Sequence, residues 1–194
     1  MGERWSKDRA NAWYVAQPWL VGCNFIPSTA INQLEMRKPD TFDPETIDRE
    51  LGWAADLGFN TVRVYLHDLL WQAVADALKA NVDRYLDIAG RHQIKTMFVL
   101  FDDCWHDNPT LCKQPEPKPG VHTSGWVRSP GSKGQADRQN WGRLKAYVQD
   151  IVRTYGADER VLIWDLFNDQ WLFSMAEVMS SCFRSHNRWL RETW

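Results

Sequence analysis

Two hydrophobic periods alternate along the chain, and the switches between them mark its elements. Residues 19–25 (WLVGCNF) form a short apolar run after Pro18 and predict a first strand. After a polar loop, DPETIDRELGWAADLG predicts a helix. Asp43 is a candidate N-cap and Pro44 suits a first turn, while Ile47, Leu51, Ala54 and Ala55 form a stripe closed by Gly58. Residues 60–66 (NTVRVYL) read as a β-branched strand. From about Asp76 to His92, the residues Val82, Leu86 and Ala89 recur at helical spacing, and residues 94–101 (IKTMFVLF) predict a third strand. Residues 102–139 are rich in Pro and Gly with little periodicity, which predicts a long loop of the kind that is functional or disordered. Leu144, Val148, Ile151 and Val152 then mark a helix over residues 141–155. Residues 161–167 (VLIWDLF) read as a buried fourth strand that delivers Asn168-Asp169 at its C-terminal end.

Strands that alternate with helices and are themselves nearly continuous apolar runs imply a parallel sheet covered by helices. An open doubly wound sheet and a (β/α)₈ barrel both fit this order. The loop after the first strand has no GxGxxG, which weakens a dinucleotide-binding version. In each unit the polar and aromatic residues cluster just past the strand, where barrel enzymes carry their chemistry. The expected fold is therefore α/β, an incomplete (β/α)₈ TIM barrel of about four parallel βα units, since complete barrels usually need ~250 residues. Residues 1–169 would form the N-terminal half of such a barrel. Residues 170–194 do not read as a fifth unit, because they lack a Gly or Pro turn and a strand-like run. Leu172, Ala176 and Met179 are spaced for one amphipathic helix there, and disorder is the other expectation.

Composition narrows the partners. A net charge of −2 gives no general reason to expect nucleic acid or an anionic membrane. No apolar run reaches the roughly 20 residues of a membrane helix. The polar start, MGERWSKDRANAWY, has no apolar core of a secretion signal, so a cytoplasmic location is expected. Four cysteines without a CxxC pair predict free thiols in a reducing compartment. The 12 tryptophans are the unusual number: some belong in the core, and others suit stacking on the apolar faces of sugar rings.

Several residues could carry chemistry. Asn168-Asp169 at a strand end offers a carboxylate that could act as general acid or base where burial or a neighbouring carboxylate raises its pKa, or else a helix N-cap. Arg63 lies within a β-branched strand, where a guanidinium is expensive unless a carboxylate meets it. Strand alternation puts Thr61, Arg63 and Tyr65 on one side, so Arg63 could orient a carboxylate in the barrel interior. The run FDDCWHD follows the third strand and places Asp102 and Trp105 in a candidate sugar cleft. His67-Asp68 after the second strand either contacts substrate or ends the strand. Cys104, His106, Cys112 and His122 match no zinc-ligand spacing, so neither a metal nor a cofactor is expected. GxSxG, P-loop and HExxH motifs are absent from the sequence.

With these residues in place, the chain resembles cellulase-like glycoside hydrolases of the (β/α)₈ barrel clan that includes family five, and within it a bacterial group of cellulase-like and 1,4-β-xylanase-like proteins. The likeness runs from about Arg4 to Asn168, through RWS, AWY, QPWLVGCNFIPSTAINQLEM, TFDPETIDRELGWAADLGFNTVRVYLHDLLWQ, KTMFVLFDDCWHD, GVHTSGWV and VLIWDLFN. It implies a retaining glycosidase acting on a β-linked polysaccharide or oligosaccharide. In that clan the fourth strand ends in Asn-Glu-Pro, the Glu being the acid/base, and a second Glu on the seventh strand is the nucleophile. Carried over, Asn168 would hold the sugar 2-hydroxyl and Arg63 would stand near the nucleophile. Trp105, His67 and Asn24 would line the cleft. Asp169 occupies the acid/base seat and Gln170 replaces the Pro. The shorter side chain draws the proton back by about 1–1.5 Å, and misplacements of ~1 Å can lower rates 100-fold. With strands five to eight missing, the resemblance implies weak or no hydrolysis. The alternative is a non-catalytic carbohydrate-binding remnant that uses Trp105 and Trp126. A one-base frameshift at the Asp169 codon would account for the altered residue and the unrelated tail together. The uncovered barrel edge predicts self-association.

Overall fold

The computed structural model of this protein describes residues 5–107 and 109–169. The expectations for residues 170–194 lie outside the described residues. Four strands, β1 (Gly22–Asn24), β2 (Thr61–Tyr65), β3 (Lys95–Val99) and β4 (Val161–Asp165), pair in parallel in the order β1-β2-β3-β4. The helices are α1 (Lys7–Val15), α2 (Pro44–Asp56), α3 (Asp68–Arg91), α4 (Ser132–Ala136) and α5 (Trp141–Tyr155), with a 3-10 turn at Arg138–Asn140. The sequence expectation of an α/β chain with about four parallel βα units is met.

Side-chain alternation sorts the sheet into two faces. Val62 and Val64 of β2, Leu66 just beyond it, Phe98 of β3 and Leu100 face a core that also holds Leu51, Leu86 and Ile151 from α2, α3 and α5. Each such side chain contributes roughly 1.5–3 kcal/mol by leaving water, which makes this layer the main source of stability. On the opposite face Tyr65 and Val99 join Trp126 in a small separate cluster. Register keeps that face in line: Arg63 is level with Met97 and Ile163, and Tyr65 with Val99 and Asp165.

The helices start where their caps allow. Asp43 accepts from the Thr46 amide at 3.0 Å and Pro44 opens α2, as its sequence suggests. In α5 the buried stripe is Leu144, Tyr147, Val148, Ile151, Val152 and Tyr155. Three elements differ from expectation. Helix α3 begins at Asp68 rather than near Asp76, because Val74 (φ −148°, ψ 53°) breaks the helical period and hides the first turn. Helix α1 was not anticipated: it buries none of its residues, so it leaves no apolar stripe. Strand β4 is half-buried along its length rather than buried, since it is an edge strand among the described residues. No helix among the described residues is long and apolar enough to cross a membrane.

Among its described residues the 102–139 segment carries the short α4 and the start of the 3-10 turn, yet it is tied to the sheet. Asp102 and Ser129 exchange backbone hydrogen bonds of 2.8 and 2.9 Å, and Arg128 donates its backbone N–H to the His106 carbonyl at 2.9 Å. These bonds fold the segment back over the C-terminal strand ends.

Candidate functional site

The polar groups at the C-terminal strand ends are organised around Arg63. Its β-branched neighbours hold β2 extended, and alternation turns the guanidinium to the face away from the helices. There Nη2 donates to Asn168 Oδ1 at 2.7 Å and pairs with the Asp165 carboxylate, while Nη1 donates to the Tyr65 hydroxyl at 2.7 Å. Asp165 thus supplies the carboxylate that a cation within a strand demands. Burial pushes the Tyr65 phenol up to about 12, against the pull of the Arg63 charge, so it stays a neutral hydroxyl.

Asn168 is fixed at both ends of its amide. Its oxygen faces Arg63, and its Nδ2 donates to Asp102 Oδ1 at 2.9 Å and to Asp169 Oδ2 at 3.2 Å. Asp102 is buried beneath them and also accepts from Gln33 Nε2 at 3.2 Å and from the Cys104 amide at 3.3 Å. Burial raises the Asp102 carboxyl above the ordinary carboxylate range, while Asn168, the Cys104 amide, Trp105 and the Arg63 charge oppose that rise. Asp169 is exposed and sits in the left-handed region at φ 49°, a conformation that Asp tolerates better than most residues.

Beside this cluster lies an open cleft of about 280 Å³, walled by the loop after β1 and the loop after β3. Asn24, Ile31, Trp105, Val121, His122 and Trp126 are among its lining residues. Trp126 is nearly buried and meets the rings of Trp105 and Tyr65 edge-on, at 5.2 and 4.9 Å between centroids. Trp105 is the more exposed of the two indoles. The walls are stitched by buried amides: Asn32 Nδ2 donates to Gln114 Oε1 at 2.7 Å and to the Gly125 carbonyl at 3.0 Å.

The residues singled out in the sequence therefore fall into three places. Asp169, Asn168, Arg63 and Asp102 form one hydrogen-bonded cluster, and Asn24, Trp105 and Trp126 line the cleft. His67 joins neither group: it is buried, caps α3 by accepting from the Leu69 amide at 3.2 Å, and lies 3.3 Å from Asp68. Asp68 in turn accepts from Ser129 Oγ at 2.7 Å and pairs with Arg143 at 2.8 Å. Sequence reasoning missed Asp165, Gln33 and the Asp68–Ser129–Arg143 group. Asp165 carried a usable signal, being a second charge inside an apolar strand and opposite in sign to Arg63. Gln33 and Ser129 carried none, since polar residues in loops ordinarily face water.

Among the described residues no group of three or more His, Cys, Asp or Glu side chains could hold a metal ion. The arrangement offers one exposed carboxylate, Asp169, held by an amide that a guanidinium orients, next to a cleft with an aromatic wall.

No protein-family model matches the chain, and no curated protein matches it. Among solved structures it is similar to an exo-β-1,4-mannosidase, Op5Man5, from Opitutaceae bacterium strain TAV5, with a TM-score of 0.55 and 19% sequence identity. The alignment covers 84% of this chain and 26% of that one, so the chain spans about a quarter of the mannosidase's length. The likeness shows the fold: the four parallel βα units form part of a (β/α)₈ barrel.

Proposed function

We propose that this chain binds a β-linked oligosaccharide or polysaccharide in the Trp105 cleft and carries the acid/base position of a retaining glycoside hydrolase at Asp169. The observation that carries this reading is the adjacency of the aromatic-walled cleft to the Arg63–Asn168–Asp169 cluster, both at the C-terminal ends of parallel strands. Arg63 would keep Asn168 turned so that its amide group serves the sugar and Asp169 together. The fold shared with an exo-β-1,4-mannosidase supports the carbohydrate class without fixing the sugar.

A retaining mechanism needs two carboxylates about 5–5.5 Å apart, one of them free to attack. Within the cluster, Asp165 is committed to Arg63, and Asp102 to Asn168, Gln33 and the Cys104 amide. This commitment favours a second reading for the chain by itself, a carbohydrate-binding protein with little or no turnover.

Titration calorimetry with cello-, xylo- and manno-oligosaccharides, run beside an aryl β-glycoside assay, separates the two. Saturable binding that weakens by about tenfold or more in Trp105→Ala is expected, since losing a stacked aromatic ring and its buried area removes roughly 1.5 kcal/mol or more. Turnover that disappears in Asp169→Ala supports the hydrolase, and binding without turnover supports the binding protein. Absence of saturable binding to every β-linked oligosaccharide sinks both.

A further inference from the structure

Five groups in line run from the Val127 backbone, next to the cleft-lining Trp126, to the guanidinium of Arg63. The Val127 backbone N–H donates to Gln33 Oε1 at 3.2 Å, and Gln33 Nε2 donates to Asp102 Oδ2 at 3.2 Å. From the other end, Arg63 Nη2 donates to Asn168 Oδ1 at 2.7 Å, and Asn168 Nδ2 donates to Asp102 Oδ1 at 2.9 Å. Both ends of this line are obligate donors, a backbone amide and a guanidinium. Each of the two side-chain amides between them must therefore turn its oxygen outward and its NH₂ inward. The group in the middle receives a donor from each side, so it has to be acceptor-only. An ionised carboxylate is the one side-chain group of that kind and size. Gln33 is 2% exposed and Asp102 is 2% exposed, so water does not substitute for a mismatched partner.

We infer that Asp102 and Gln33 are positioning residues, whose donor–acceptor parity fixes the orientation of the Asn168 amide and, through its second hydrogen bond, the placement of Asp169. The consequence for catalysis rests on the reading of Asp169 as the acid/base group; the orientation of Asn168 does not. Asp102→Asn places an NH₂ in the middle of the line. Whichever way the new amide turns, two donors meet: against Asn168, or against Gln33, or, if Gln33 turns over, against the Val127 N–H. Adding Gln33→Glu moves the acceptor-only group one step back. The carboxylate at position 33 then accepts from both Val127 and the amide at position 102, whose oxygen again receives Asn168. The double variant should restore what the single variant loses, with an unchanged number of carboxylates in the line.

The test uses the full chain without any sugar. The side-chain NH₂ signal of Asn168 is identified in ¹H–¹⁵N spectra by its loss in Asn168→Ser, and its hydrogen exchange is measured against that of core backbone amides. Exchange of the Asn168 NH₂ should quicken by about tenfold or more in Asp102→Asn, the loss of a buried hydrogen bond to a charged group. It should return close to the wild-type rate in Asp102→Asn/Gln33→Glu. Should the single variant fail to fold, folding of the double variant with a protected Asn168 NH₂ supports the inference equally. An unchanged Asn168 rate in a folded Asp102→Asn, or a double variant no better than the single, overturns the inference. Oligosaccharide titration of the same proteins is read separately, so failure of the sugar-binding proposal and failure of the positioning line produce different patterns.

Discussion

Asp68 and Arg37 show how differently two buried charges are handled. The Asp68 side chain has no exposed surface, accepts a hydrogen bond from Ser129 and pairs with Arg143. Arg37, equally buried, donates Nη1 to the Met36 carbonyl at 2.9 Å and lies 4.2 Å over the Tyr85 ring, with burial lowering it to about 10 against the opposing effect of Tyr85. Burial by itself pushes the Asp68 carboxyl up, but its partners outweigh that and bring it down to about 2, from an ordinary 3.8. The unfolded chain therefore binds more protons than the folded one between these values. Stability from this group is complete above about pH 4 and is lost as pH falls through about 2, an amount of about 2 kcal/mol. Asp68→Asn removes this term and leaves Arg143 unpaired, which predicts a loss of about 3–5 kcal/mol at pH 7. Urea unfolding of both proteins at pH 7 and pH 3 checks it. The gap between them should narrow at the lower pH, and an equal gap at both values would contradict the assignment.

Helices α2 and α3 end in the same hydrogen-bond pattern with different residues at the critical position. After α2, Gly58 takes φ 86°, and the Phe59 and Gly58 amides return to the Ala54 and Ala55 carbonyls at 3.0 and 2.8 Å. After α3 the same place is held by exposed Gln93 at φ 59°, with the Ile94 and Gln93 amides bonded to Ala89 and Gly90, both at 3.0 Å. A side chain in the left-handed region is strained by about 1 kcal/mol, and glycine is not. Gln93→Gly should therefore raise stability by about 0.5–1 kcal/mol, read as a higher urea midpoint with an unchanged slope. A lower midpoint would mean that the exposed glutamine contributes packing absent from the hydrogen-bond pattern. These two helix ends also mark how far the elements were legible. The glycine signalled the end of α2, and the apolar stripes signalled α2 and α5, because those helices press one face against the sheet. The end of α3 was placed by its stripe alone. Its beginning was hidden by the break at Val74, and α1, with no buried face, left no pattern to find.

Across the whole molecule, chemistry depends on loops that meet only after the sheet has formed. Arg63 was legible because a guanidinium among β-branched residues needs a partner, and Asn168-Asp169 because they end a strand. Asp165 was signalled as a charge inside an apolar strand, but its pairing with Arg63 required the register that sets Tyr65 level with Val99 and Asp165. Asn32 and Gln33 looked like ordinary loop residues, and only the closure of the β1 loop on the β3 loop buries them. That closure is tight where Gly125 meets Ile31, a cleft-lining residue, since a Cβ at position 125 would overlap Ile31 Cγ1 and Cδ1. The branched Ile31 side chain has few rotamers to escape into. Gly125→Ala should then displace Ile31 into or away from the cleft and reshape the cleft wall, while the helix-side core remains intact. Overpacking of this kind amounts to about 1–3 kcal/mol, enough to weaken the proposed oligosaccharide binding by about tenfold where it falls on the bound state. Calorimetric titration paired with a melting curve distinguishes the outcomes. Weakened binding with a nearly unchanged melting temperature places the contact in the ligand wall. A large fall in melting temperature with binding retained would assign Gly125–Ile31 to folding instead and move the ligand away from this side of the cleft.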